Sequence, residues 1–165
     1  MMKHKVFYPC LMNRLLDEEP KSESEPWDKF HYNARTMRLV VKKNIEEILN
    51  NINSQEQLEL PGHSEIASSV FNFGISPLAG EYATPQNHVS LVHRVREALI
   101  RFEPRLIPES IIVRQPEGSA QRAHYGVLLF EIRGLIRWGE EIIDLSLGAS
   151  YDTEISNTIL KLNNG

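Results

Sequence analysis

The hydrophobic period of this chain changes once, and the change falls at Pro104. Before it, apolar residues recur at steps of three and four. Met37, Val41, Ile45, Ile48 and Ile52 form one such stripe within residues 33–53. His88, Val92, Val95, Leu99 and Phe102 form a second. Each is the buried face of an amphipathic helix. After Pro104 the period is two. Leu128, Phe130 and Ile132 alternate with Leu129, Glu131 and Arg133, and Ile143, Leu145 and Leu147 alternate with Asp144 and Ser146. Alternation of this kind marks half-buried strands.

The boundaries follow from local chemistry. Thr84 is a good N-cap and Pro85 suits the first helical position, where a missing N–H costs nothing. Pro104 disfavours helical geometry at Glu103 and stops the second helix there. Asn50, Asn51 and Asn53 favour a stop for the first. Strands are expected within 109–115, 124–138 and 140–155, with a turn at Ser156-Asn157 and a last strand at 158–162. Gly148-Ala149-Ser150 reads as a candidate bulge. Short links between successive strands favour an antiparallel meander. The expected fold is α+β, with two main helices packed on one face of a small antiparallel sheet. Leu11, Leu15 and Leu16 suggest a short helical turn in an N-terminal arm. Residues 17–28, with two prolines and six carboxylates, read as a solvated linker. The expected organisation is an arm over residues 1–30 and a single domain over 31–165.

Composition narrows the functions. At 165 residues, with 41% hydrophobic and 24% charged residues, the chain can bury a core without metal or disulfide. Its net charge of -4 lacks the basic excess that general nucleic-acid binding needs. Cys10 is the single cysteine, which excludes an intrachain disulfide and a cysteine-based zinc site. No apolar run approaches the roughly 18 residues of a membrane span, and residues 6–12 make a poor signal peptide. A soluble, cytoplasmic protein is expected. The histidines at 4, 31, 63, 88, 93 and 124 make no metal-binding pair, and His88 reads as a packed histidine. No nucleophile elbow or phosphate-binding loop is present. No cofactor and no metal are expected.

The charges around the period switch need their own explanation. Glu103, paired with Glu109 or Glu131, could in principle supply the two carboxylates of a glycoside hydrolase. However, a guanidinium beside a carboxylate favours the ionised form, whereas a general acid must carry a proton. With 22 acidic residues, some pair near a cleft arises by chance.

The segments "LMNRLLDEEP" (11–20), "EEILNNIN" (46–53), "SSVFNFGISPLAG" (68–80), "IRFEPRL" (100–106), "LLFEIRGLI" (128–136) and "YDTEIS" (151–156) appear in register with one family. The chain resembles the TssE family, the baseplate wedge subunits of bacterial type VI secretion systems. That family is similar to phage baseplate wedge proteins often labelled lysozyme-like. The resemblance implies a structural, non-enzymatic subunit that joins the wedge to the first ring of the contractile sheath. It implies the wedge subunits TssF and TssG, TssK, and the sheath subunits TssB and TssC as partners, with no nucleic acid and no membrane insertion. An unpaired edge on the late strands would accept a partner strand. Glu103, Pro104 and Arg105, the family's signature, are then the partner-binding residues, and their variants would melt normally. An intramolecular role for Glu103 and Arg105, tying the helix end to a strand, fits the same spacing. The lysozyme-like label keeps a peptidoglycan hydrolase acting through Glu103 as the alternative.

Overall fold

A computed structural model describes residues 11, 15, 21, 24, 32–53, 64–76, 85–116 and 126–163. Two compact units are present, residues 1–40 and residues 41–165. In the first, Leu11 and Leu15 are helical and exposed. Cys10, most of the expected acidic linker, the expected cap at Thr84 and residues 77–84 and 117–125 lie outside the described residues.

Helix α1 spans Ala34–Asn50. Asn33 caps its start, because the Asn33 side-chain oxygen accepts the Thr36 N–H at 2.9 Å. A single helical turn, α2, covers Ser64–Ala67, and α3 covers Pro85–Phe102. Four strands follow: β1 (Ile112–Arg114), β2 (Val127–Trp138), β3 (Glu141–Asp152) and β4 (Asn157–Leu162). They pair antiparallel in the order β1-β2-β3-β4, the expected meander. The fold is α+β, with the helices packed against the sheet. Gly139 turns the β2–β3 hairpin with φ +63°, a conformation that favours glycine.

The core lies on one face of this sheet. Leu128, Phe130, Ile132 and Ile136 of β2 are buried, with Leu145, Leu147 and Tyr151 of β3 and Leu160 of β4. From the helices come Val41, Ile45, Ile48 and Leu49, and Leu91, Val95, Ala98 and Leu99. Each large side chain buried in this way contributes about 1.5–3 kcal/mol. Both helices bury a broader stripe than the simple repeat suggests, because a face packed on a sheet is wider than a coiled-coil seam.

Three local expectations are corrected. Ile52 does not extend the α1 stripe. The helix stops at Asn50, and Ile52 is exposed in a parallel bridge with Ile75. The strand expected over 109–115 is short, because Pro108–Ser110 forms a 3-10 turn ahead of β1. No bulge occurs at 148–150. Gly148, Ala149 and Ser150 pair in unbroken register with Glu131, Phe130 and Leu129.

Candidate functional site

The segment at the period switch is stitched to the sheet. α3 ends at Phe102, and the Glu103 N–H still donates to the Leu99 carbonyl at 3.0 Å. Pro104 then prevents a further turn, and Leu106 N donates back to the Glu103 carbonyl at 3.1 Å. The chain next runs alongside β2. Leu106 bridges Ile136, Ile107 N donates to the Leu135 carbonyl at 2.9 Å, and Arg137 N donates to the Arg105 carbonyl at 2.8 Å. Ser110 adds its hydroxyl, which accepts the Leu135 N–H at 2.9 Å. This segment therefore extends the sheet edge beyond the end of β1.

Glu103 points inward. It is only 1% exposed, although Glu is seldom buried without a partner. The Arg105 guanidinium supplies that partner in a fork. Nε donates to Oε1 at 2.7 Å and Nη2 donates to Oε2 at 2.7 Å. The Arg105 backbone N–H adds a longer bond to Oε1 at 3.3 Å. Bidentate pairing of this kind is the strongest geometry an ion pair adopts. Pro104, between the two, is exposed. Phe102 stacks edge-on against Phe73, with ring centroids 5.3 Å apart. Phe73 belongs to "VFNFGI", which is anchored to the end of α1. Ile75 N donates to the Asn51 carbonyl at 2.9 Å, and Asn53 N to the Ile75 carbonyl at 3.1 Å. Gly74 makes this approach possible. Its φ is +113°, and a Cβ there would run into the Asn51 carbonyl oxygen. Two of the sequence segments singled out above thus meet at Phe73 and Phe102.

The other carboxylates considered with Glu103 lie elsewhere. Glu109 sits exposed in the 3-10 turn. Glu131 is on the opposite, outer face of the sheet. There its Oε2 accepts from Arg114 Nη2 at 3.2 Å and Arg133 Nη2 at 3.4 Å. Both oxygens of Glu103 are occupied by Arg105, so it forms no acid–base pair with Glu109 or Glu131 across a shared cleft. Among the described residues, no group of three or more His, Cys, Asp or Glu is placed to hold a metal ion.

The sheet edges gave no warning in the sequence. His88 is buried, and its Nε2 donates to the Leu129 carbonyl at 2.8 Å, at a point on β2 that β1 does not reach. At the other edge, the Asn50 amide mimics a strand. Its Nδ2 donates to the Thr158 carbonyl at 3.0 Å, and its Oδ1 accepts the Thr158 N–H. Glu46 Oε1 accepts the Leu160 N–H at 3.2 Å and is itself held by Lys42 at 2.8 Å. The late strands therefore start with an edge that helix side chains have already filled. Such covering is one way natural sheets avoid unwanted pairing. None of the described helices is long and apolar enough to cross a membrane.

No curated protein and no solved structure matches the chain. Residues 35–141 match the family model described as baseplate wedge protein gp25. The matched span runs from the start of α1 to the start of β3, and so includes the Phe73–Phe102 contact and the Glu103–Arg105 fork. The chain belongs to the family of baseplate wedge protein gp25, whose role is structural.

Proposed function

We propose that this protein is the TssE-type wedge subunit of a type VI secretion machine, working in the cytoplasm and joining the baseplate wedge to the first ring of the contractile sheath. One observation carries the choice of a structural role over a hydrolase. Glu103, the carboxylate a lysozyme-like reaction would need, has both oxygens bound by Arg105 and is closed off from substrate. The partners are TssF and TssG in the wedge, TssK, and the sheath subunits TssB and TssC. Glu103, Pro104 and Arg105 form the partner-binding turn. Pro104 stands exposed at its tip, and Glu103 acts by holding Arg105 in place.

A sheath strand adds at β1. The backbone groups of β2 that point to the β1 side are those of its odd-numbered residues, as the bonds of Leu135 and Arg137 indicate. Ile112 and Arg114 therefore pair with β2, and the amide and carbonyl of Val113 point away from it. Strand addition there uses main-chain hydrogen bonds and needs no change in the core.

Co-purification of the tagged chain tests this reading. Wedge and sheath subunits are expected together. Val113→Pro removes the outward donor and is expected to lose the sheath subunits while retaining the wedge. Recovery of both at normal levels would overturn the edge assignment. Hydrolysis of purified cell wall that disappears in Glu103→Gln would overturn the structural reading itself.

A further inference from the structure

The face of the sheet turned away from the core is divided in character. Near β4 it is a shallow concavity lined by Leu129, Gly148, Ser150, Ile159 and Lys161. Near β1 it is rich in arginine. Arg114 lies opposite Glu131, Arg133 opposite Ile112, and Arg137 opposite Ile142. Glu131 takes hydrogen bonds from both Arg114 and Arg133, which fixes two guanidiniums on the surface with one carboxylate between them. Asp144, opposite Leu135, is the second acid of this half. Three guanidiniums against two carboxylates leave one positive charge in excess, on a chain whose net charge is -4. Between the charges stand Ile142, 62% exposed, Ile112, 54% exposed, and Leu135, 37% exposed.

We infer that the Arg114, Arg133 and Arg137 half of the outer sheet face docks an acidic segment of another protein, with apolar side chains spaced between its carboxylates. The occupant follows from charge complementarity. This face carries a local positive excess on a chain of net charge -4, and opposite charge steers such an encounter. Arginine is the cation best suited to the contact, because its fork matches a carboxylate and its plane covers apolar neighbours. Ile112, Leu135 and Ile142 give the apolar side chains somewhere to bury. This inference uses the outer-face side chains of β1, β2 and β3, not the β1 backbone edge or Pro104, and it stands whether or not the wedge is that of a secretion machine.

The test is an NMR titration of the full 15N-labelled chain with a synthetic peptide of repeated Glu-Leu-Glu-Ser. Amide shifts are expected at Arg114, Arg133, Leu135, Arg137 and Ile142. The Arg133→Gln/Arg137→Gln double variant should weaken binding on the order of tenfold. Its melting temperature should stay unchanged, since both side chains are surface cations. Lys161→Gln, on the other half of the face, should bind as the parent does. Shifts centred elsewhere, equal loss in Lys161→Gln, or undiminished binding by the double variant would each overturn the proposal. So would binding of an all-Glu peptide as tight as that of the probe, which would leave no role for the apolar residues. Tighter binding of duplex DNA at the same amides would make the face a nucleic-acid site and sink the proposal as well.

Discussion

Two arginine–glutamate sites border the same strand, β2, and use the same chemistry to different ends. At Glu103 and Arg105 the side chains are 1% and 21% exposed, and each guanidinium bond is 2.7 Å long. At Arg114, Glu131 and Arg133 the guanidinium side chains are 47% and 51% exposed, and the bonds stretch to 3.2–3.4 Å. Water competes freely at the second site and hardly at all at the first. An ion pair shut away from water is costly to break from one side only, because the remaining charge has nowhere to go. An exposed pair is replaced by hydration at little cost. The first site therefore stabilises the turn that follows α3, and the second keeps its cations at the surface.

Arg105→Ala makes the contrast sharpest. It leaves a buried carboxylate with no cation and should cost about 3–5 kcal/mol. In a chain of this size that lowers the melting temperature by roughly 10 °C, readable by calorimetry. Glu103→Gln keeps the shape but sets an amide N–H₂ against the guanidinium, and a loss of about 2–3 kcal/mol is expected in urea unfolding. Arg105→Lys replaces the fork with a single point contact and should cost about 1–2 kcal/mol. Glu131→Ala should cost less than about 1 kcal/mol, and 0.5 M salt, roughly a Debye length of 4 Å, should erase that loss while leaving the Arg105 effect in place. Should the Glu131 and Arg105 variants melt alike, burial would not be what separates the two sites.

Much of this architecture is legible in the sequence, and what is not legible has a common cause. Pro104 announced the end of α3, because its ring acts on the residue just before it. The alternation from Leu128 onward announced the strands, because each residue's face depends only on its neighbours. Contacts between distant segments carried no such mark. Asn50 reads as a helix stop, yet its amide also closes β4 at Thr158. His88 fits a buried stripe, but nothing nearby in the chain points to the Leu129 carbonyl. Gly148 suggests a bulge, and only the partner strand reveals an unbroken register. The direction of Glu103 was open for the same reason. A carboxylate two residues from an arginine can grip it or face outward with equal ease, and the packing of Phe102, Leu106 and β2 decides. With Glu103 buried against Arg105, variants at these two residues are expected to lose stability rather than melt normally.

The most direct test is a double-mutant cycle on Glu103 and Arg105, measured by urea unfolding of the parent, both single alanine variants and the double variant. A clamp internal to the fold predicts a coupling energy of at least about 2 kcal/mol, with the double variant more stable than Arg105→Ala alone. Additivity within about 0.5 kcal/mol, with every variant near parental stability, would contradict it.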